Sequence, residues 1–293
     1  MKFIKPTLLT DAAFVSSTLP EADAPAWSAG TAYAVNDKAI RTATHSVYQR
    51  AVAGTTPTAP ELDAVNWVLI GPTNRWAMFD QAVGTISTAG SPITVIIKPG
   101  VGDGVALLDV VGSFVTFTLT DGGATTYTRR DSLNGIDSIS WFEYFNSEVV
   151  KRTALVLTGL PLTASCTLTV LIEGGGTVAC GSLITGPSID VGPTKMGMQL
   201  GIVDYSVKNT NAFGATTITK RGYAKRMTAV AYVPAARVDY VMQRLAEVRA
   251  LPVVWIGATP YEQSFIYGFV KDFGMDITYQ TMSVCSLTIE GLA

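Results

Sequence analysis

The chain has 293 residues, 48% of them hydrophobic and 15% charged, with a formal net charge of -2. Such a length buries roughly two or three cores, and so little charge implies surface covered by neighbouring subunits. The near-neutral balance gives no basic field for a nucleic acid or an anionic lipid surface, and no run approaches the roughly 18 apolar residues of a spanning helix.

The N-terminus MKFIKPTLLTDAAFV imitates a secretion signal, but Pro6 and Asp11 interrupt its apolar stretch. It reads as the start of a soluble polypeptide made in the cytoplasm. Residues 1–26, ending in PEADAPA, read as an extended N-terminal arm.

The next segment, WSAGTAYAVNDKAIRTATHSVYQRAVAGTTPTAPELDAVNW, places Trp27, Tyr33, Tyr48 and Trp67 around an Asn36-Asp37 turn and a Gly/Thr/Pro loop. About forty residues barely bury a core, and a few large rings around a short three-stranded sheet solve that problem economically. The pattern resembles the small chitin-binding-like modules attached to chitinases and to tail and baseplate proteins of bacteriophages. The resemblance implies a carbohydrate-binding-like β module over residues 27–72, with Trp27, Tyr33, Tyr48 and Trp67 as candidate carbohydrate-binding residues. Apolar sugar faces stack on flat aromatic rings while sugar hydroxyls reach amides and carboxylates. A module this small also needs such rings for its own core, and the expectation here is that core or protein contact takes them.

Residues 73–190 read as a β-sandwich. The short runs ITVIIKPG, GVALLDVVG, FVTFTLTD, TTYTRR, ALVLTGL, CTLTVLIEG and TVACGSLITG are punctuated by Gly, Asp or Pro. Val115, Phe117 and Leu119 alternate with Phe114, Thr116, Thr118 and Thr120, which predicts one buried and one hydroxyl-bearing face. WAMFD, GVALLDVVG and WFEYF (141–145) resemble a jelly-roll or galactose-binding-like sandwich that recurs in phage tail proteins. The rings of WFEYF are expected in the core of a strand rather than on a ligand surface.

Residues 191–293 predict long strands and one amphipathic helix over 235–250, with Val238, Val241, Met242, Leu245 and Val248 along its apolar stripe. Pro234 and Pro252 flank it as start and stop signals. Strands, a single helix, then strands describe an α+β unit. MGMQLGIVDYS, LPVVWIGA, IYGFVKDF and SLTIEGLA are similar to the terminal domain of phage tail proteins and to the tail-tube fold, in which such units form hexameric rings.

The chemical inventory is thin. His45 is the only histidine and is expected in a solvent-facing turn. Cys166, Cys180 and Cys285 are odd in number, lack CxxC spacing, and read as buried free thiols. The carboxylate pairs Asp103/Asp109, Glu143/Glu148 and Asp272/Asp276 stand in no catalytic frame and read as solvated loop acids. The glycine runs GVGDG (100–104) and IEGGGT (172–177) lack the Lys-Ser/Thr of a phosphate loop and are expected as hairpin turns. TRRD (128–131) reads as a solvated strand end or an ion pair between subunits.

The sequence therefore predicts no enzyme, cofactor or metal. The resemblances imply a virion protein of a phage tail tip or baseplate, distal-tail-like, made in the bacterial host. They also imply a homo-oligomeric ring in contact with other tail proteins. The alternative they leave open is an adhesin recognising host surface glycans.

Overall fold

Short β-branched runs separated by turn residues favour strands over helices, and the fold is mainly β with a small helical part. The structure, a computed structural model, describes residues 1–135, 140–146, 150–259, 261–277 and 280–292, excepting the side chains of residues 143, 144 and 150.

Four layers stack through the body. The outermost is a five-stranded antiparallel sheet in the order Ala124–Ser132, Phe114–Asp121, Thr167–Glu173, Ile93–Ile97, Phe14–Ser17. Beneath it lies a three-stranded sheet, Ala154–Leu157, Gly104–Leu108, Ser182–Gly186. Val115, Phe117 and Leu119 of the first sheet meet Val105, Leu107 and Leu157 of the second in the largest core, as the strict alternation requires.

The three-stranded sheet is buried on both faces. Ala106, Leu108 and Ile184 point away from the first core and pack on Ile4, Val254, Ile256 and Phe265 of a seven-stranded sheet. That third layer runs Ser188–Asp190, Lys2–Ile4, Val253–Ile256, Phe265–Asp276, Met282–Gly291, Tyr223–Pro234, Gln199–Asp204. Its far face, with Phe3, Trp255, Met227 and Leu287, is closed by the fourth layer, the helix Val238–Glu247. Val241, Leu245 and Val248 are each at most 1% exposed, whereas Met242 is 36% exposed, so the buried stripe is narrower than the sequence pattern implied. A short 3-10 turn, Ala235–Arg237, precedes the helix and carries the chain out of the strand that ends at Pro234.

Residues 1–26 are not a free arm. Lys2–Ile4 is an inner strand, antiparallel to Ser188–Asp190 on one side and Val253–Ile256 on the other. Phe3 and Ile4 enter the cores on opposite faces, and each is fully buried. Phe14–Ser17 then joins the outer sheet, and Leu19 enters the sandwich core. The N-terminus thus ties the sandwich to the C-terminal sheet, which also draws Ser188–Asp190 from the segment read as sandwich.

Other local expectations change for identifiable reasons. TVACGSLITG is two strands in different sheets, Thr177–Cys180 beside Ser87–Gly90 and Ser182–Gly186 in the middle layer. They part at Gly181, where a Cβ would lie 2.8 Å from that of Asp109. GVGDG and IEGGGT join strands of different sheets rather than closing hairpins. Gly174 is required by close approach to the Val178 side chain at 2.8 Å, not by a positive φ. The true tight hairpin is at Gly122-Gly123, with φ of +57° and +85°. WFEYF begins a short helix, Trp141–Asn146, in which Trp141, Phe142 and Phe145 are exposed rather than in a strand core. It lies in the connection between Asn134–Gly135 and Val150–Lys151, outside the sandwich layers.

Candidate functional site

The small module is built on a hairpin, Lys38–Arg41 with Ser46–Arg50, to which Trp67–Pro72 adds a third antiparallel strand. A short pair, Ala32–Tyr33 with Gly54–Thr55, covers one end. Asn36, at φ +73°, turns the chain into the hairpin, and the Asp37 carboxylate accepts from the Ala34 N–H at 2.7 Å.

All four predicted aromatic residues come together here, around Ala39. Tyr48 and Trp67 are buried at 7% and 2% exposure, while Trp27 and Tyr33 are half-buried at the edge of the cluster. Tyr33 meets Trp67 edge-on at 4.9 Å, and its hydroxyl accepts from the Ser28 N–H at 2.9 Å. The Arg41 guanidinium sits 4.9 Å from the Trp27 ring centroid, and Arg50, itself 2% exposed, lies 5.1 Å from that of Trp67. The indole N–H groups of Trp27 and Trp67 are buried, out of reach of a ligand approaching from solvent. The rings therefore build a core, with one face of Trp27 already taken by a cation.

Arg41 is held over Trp27 by a two-pronged ion pair with Glu61, at 3.0 and 2.7 Å. That contact holds the Glu61 carboxyl below its ordinary value and raises the Arg41 guanidinium above its own. Both groups are exposed enough for solvent to screen them, so the pair fixes geometry more than stability.

The junction between the module and the sandwich carries a feature that composition alone did not reveal. His45, in the hairpin turn at φ +49°, is half-buried rather than solvent-facing. Its Nδ1 lies 2.9 Å from Glu21 and its Nε2 3.0 Å from Asp11, so both carboxylates come from the N-terminal segment. Glu21 also accepts from the Thr73 hydroxyl at 3.0 Å, and Arg75 donates to the Leu19 carbonyl at 2.7 Å. One histidine thus fastens module, N-terminal segment and sandwich together.

The other candidates scatter. Asp103 accepts from the Ser188 N–H and hydroxyl, and it closes a loop. Asp109 faces a cavity. Asp272 and Asp276 share one strand, and Glu148 lies outside the described residues, as does the side chain of Glu143. In TRRD, Arg129 pairs with Asp131 at 2.9 Å and Arg130 with Glu173 at 3.0 Å, both within the chain. The three cysteines are free and buried.

Among the described residues, no helix is long and apolar enough to cross a membrane. Comparison with known proteins finds no family model that matches the chain and no curated protein similar to it in sequence.

Proposed function

We propose that this chain is a structural protein of a bacteriophage tail tip or baseplate, distal-tail-like. It assembles into a homo-oligomeric ring through its C-terminal sheet and presents the small module and sandwich to fibres or the host surface. The observation that carries this reading is a pair of open, apolar sheet edges. Gln199–Asp204 ends the seven-stranded sheet with no partner on its outer side among the described residues, and it exposes Leu200 and Ile202 at 42% and 62%. The hairpin Val207–Thr210 with Thr216–Thr219 follows it and carries Phe213, 95% exposed, at its tip. In the module, Trp67–Pro72 is likewise an edge and exposes Val68, Leu69 and Ile70. Open edges with large apolar side chains invite strand pairing with another chain, and a lone soluble protein ordinarily blunts them.

The alternative, a glycan-binding adhesin, draws on Trp27 and Tyr33, which are only half-buried. The burial of Tyr48 and Trp67 weakens it as a reading of the module. Antibody raised against the chain tests the preferred function. Decoration of the distal tail of phage particles from the cognate host supports it, and particles free of the chain contradict it.

A further inference from the structure

Arg50 ends a strand of the small module in a setting that a guanidinium does not tolerate alone. The residue is 2% exposed, and no carboxylate oxygen lies within 4.0 Å of its guanidinium among the described residues. Trp67 covers one face, with Cζ 5.1 Å from the ring centroid, and Nη1 donates to the Thr56 hydroxyl at 3.3 Å. The other edge stays empty: Nε is buried without an acceptor, and Nη2 makes no hydrogen bond among the described residues. Lysine or histidine escapes such burial by losing its proton, whereas a guanidinium keeps its charge.

The acids of the module are all committed elsewhere. The Asp37 carboxylate accepts from the Ala34 N–H at 2.7 Å, Glu61 holds Arg41, and Asp63 accepts from the Asn66 side-chain amide at 2.9 Å. Two other arginines of this chain show what the Nε/Nη2 edge takes. Arg41 donates from it to both oxygens of Glu61, at 3.0 and 2.7 Å, and Arg129 to both oxygens of Asp131, each at 2.9 Å. An unpaired buried charge is costly, so the empty fork of Arg50 calls for a carboxylate from outside the module. Gly54, exposed and without a side chain, lies over it: a Cβ there would stand 3.9 Å from Nη2. With so little of the guanidinium exposed, a carboxylate on a slender stem reaches it, and one borne directly on a sugar ring is held off. The strand paired with Arg50 begins at Trp67 and is the open apolar edge of the module, a place for an extended chain to pair. We propose that the module binds an acidic peptide segment of a protein partner, with a glutamate side chain of that segment placing both carboxylate oxygens on Nε and Nη2 of Arg50. The site rests on the module facing other proteins, as proposed above, and not on ring formation.

Heteronuclear NMR of the full chain, read at the Arg50 Nε–Hε resonance, tests it with the capped pentapeptide Thr-Val-Glu-Val-Thr, its glutamine counterpart and methyl glucuronide. The glutamate peptide should shift that resonance and bind about tenfold or more tightly than the glutamine peptide, the equivalent of one charge-assisted pair. Arg50→Lys, which keeps the charge and loses the fork, should bring the glutamate peptide down to the level of the glutamine one. The peptide comparison needs no substitution, so it decides the matter even where Arg50→Lys fails to fold. Equal affinity for the two peptides, no binding of either, or undiminished binding in folded Arg50→Lys would overturn the proposal. Tighter binding of methyl glucuronide than of the glutamate peptide would overturn it in favour of an acidic glycan. Peptide binding is read whatever the oligomeric state, so its failure leaves the ring standing, and failure of ring assembly leaves this site standing.

Discussion

The His45 imidazole stacks on the Trp76 indole, with ring centroids 3.8 Å apart and planes 16° from parallel. Trp76 also touches Phe14 at 5.2 Å and Phe79 at 5.7 Å, so the hairpin turn of the module rests on the aromatic corner of the sandwich. His45→Ala should therefore lower stability by about 1–3 kcal/mol, from the lost stack and two hydrogen bonds to carboxylates. Trp76→Ala should cost more, about 3–5 kcal/mol, because it also opens the corner. Urea unfolding monitored by fluorescence and circular dichroism measures both, and equal losses would show that His45 shares the whole corner.

The helix Val238–Glu247 buries one narrow stripe. Leu245→Ala should destabilise the protein by about 2–5 kcal/mol, the range for removing a buried leucine side chain. Met242→Ala, one residue-turn off that stripe, should cost only about 0.5 kcal/mol. Thermal unfolding of the two variants decides the matter, and comparable losses would mean that the stripe includes Met242.

Gly186 ends a strand of the middle sheet, where an added Cβ would meet the Lys5 backbone carbonyl oxygen. Backbone cannot step aside as a side-chain tip can. Gly186→Ala should cost about 1–3 kcal/mol and loosen the N-terminal strand. Hydrogen exchange at Phe3 and Ile4 should rise in the variant, and unchanged protection there would refute the crowding argument.

Buried thiols and a buried phenol set the alkaline limit of stability, and paired carboxylates set the acid limit. Burial, with a smaller push from Asp109, raises Cys180 to about 12, and burial raises Cys285 to about 11. Burial and Asp80 raise Tyr267 to about 12. For these acids the folded state keeps its proton longer, so their contribution is whole below the unfolded values and is lost as pH rises through roughly 9 to 12. Lys225, lowered by burial, offsets part of that loss. Glu61 and Glu290, lowered by Arg41 and Lys271, contribute stability above their unfolded values that disappears as pH falls through the folded ones. Chemical denaturation across pH should show a plateau that declines on both sides. Iodoacetamide at pH 8 should leave the folded chain unlabelled and mark all three cysteines after unfolding without reductant.

How far the sequence could be read follows from the range of its signals. Alternation in FVTFTLTD and the helical spacing of Val241, Leu245 and Val248 are local, and the structure repeats both. The aromatic cluster was legible because Trp27, Tyr33, Tyr48 and Trp67 fall within one short module. Lys2–Ile4 was not, since three residues carry no period and its partners lie about 190 and 250 residues away. The burial of His45 is illegible for the same reason: Asp11, Glu21 and Trp76, the groups that bury it, are remote in sequence.

Electron microscopy of the purified protein shows whether copies of the chain assemble through their open sheet edges. Closed cyclic symmetry satisfies repeated interfaces, so the account predicts rings of about six copies, or another multiple of three, with Gln199–Asp204 covered at the contact between neighbours. Ile202→Lys, which places a charge on that exposed edge, should return the protein to monomers. Uniform monomers of the unaltered chain at every concentration, with Leu200 and Ile202 open to solvent, would contradict the account.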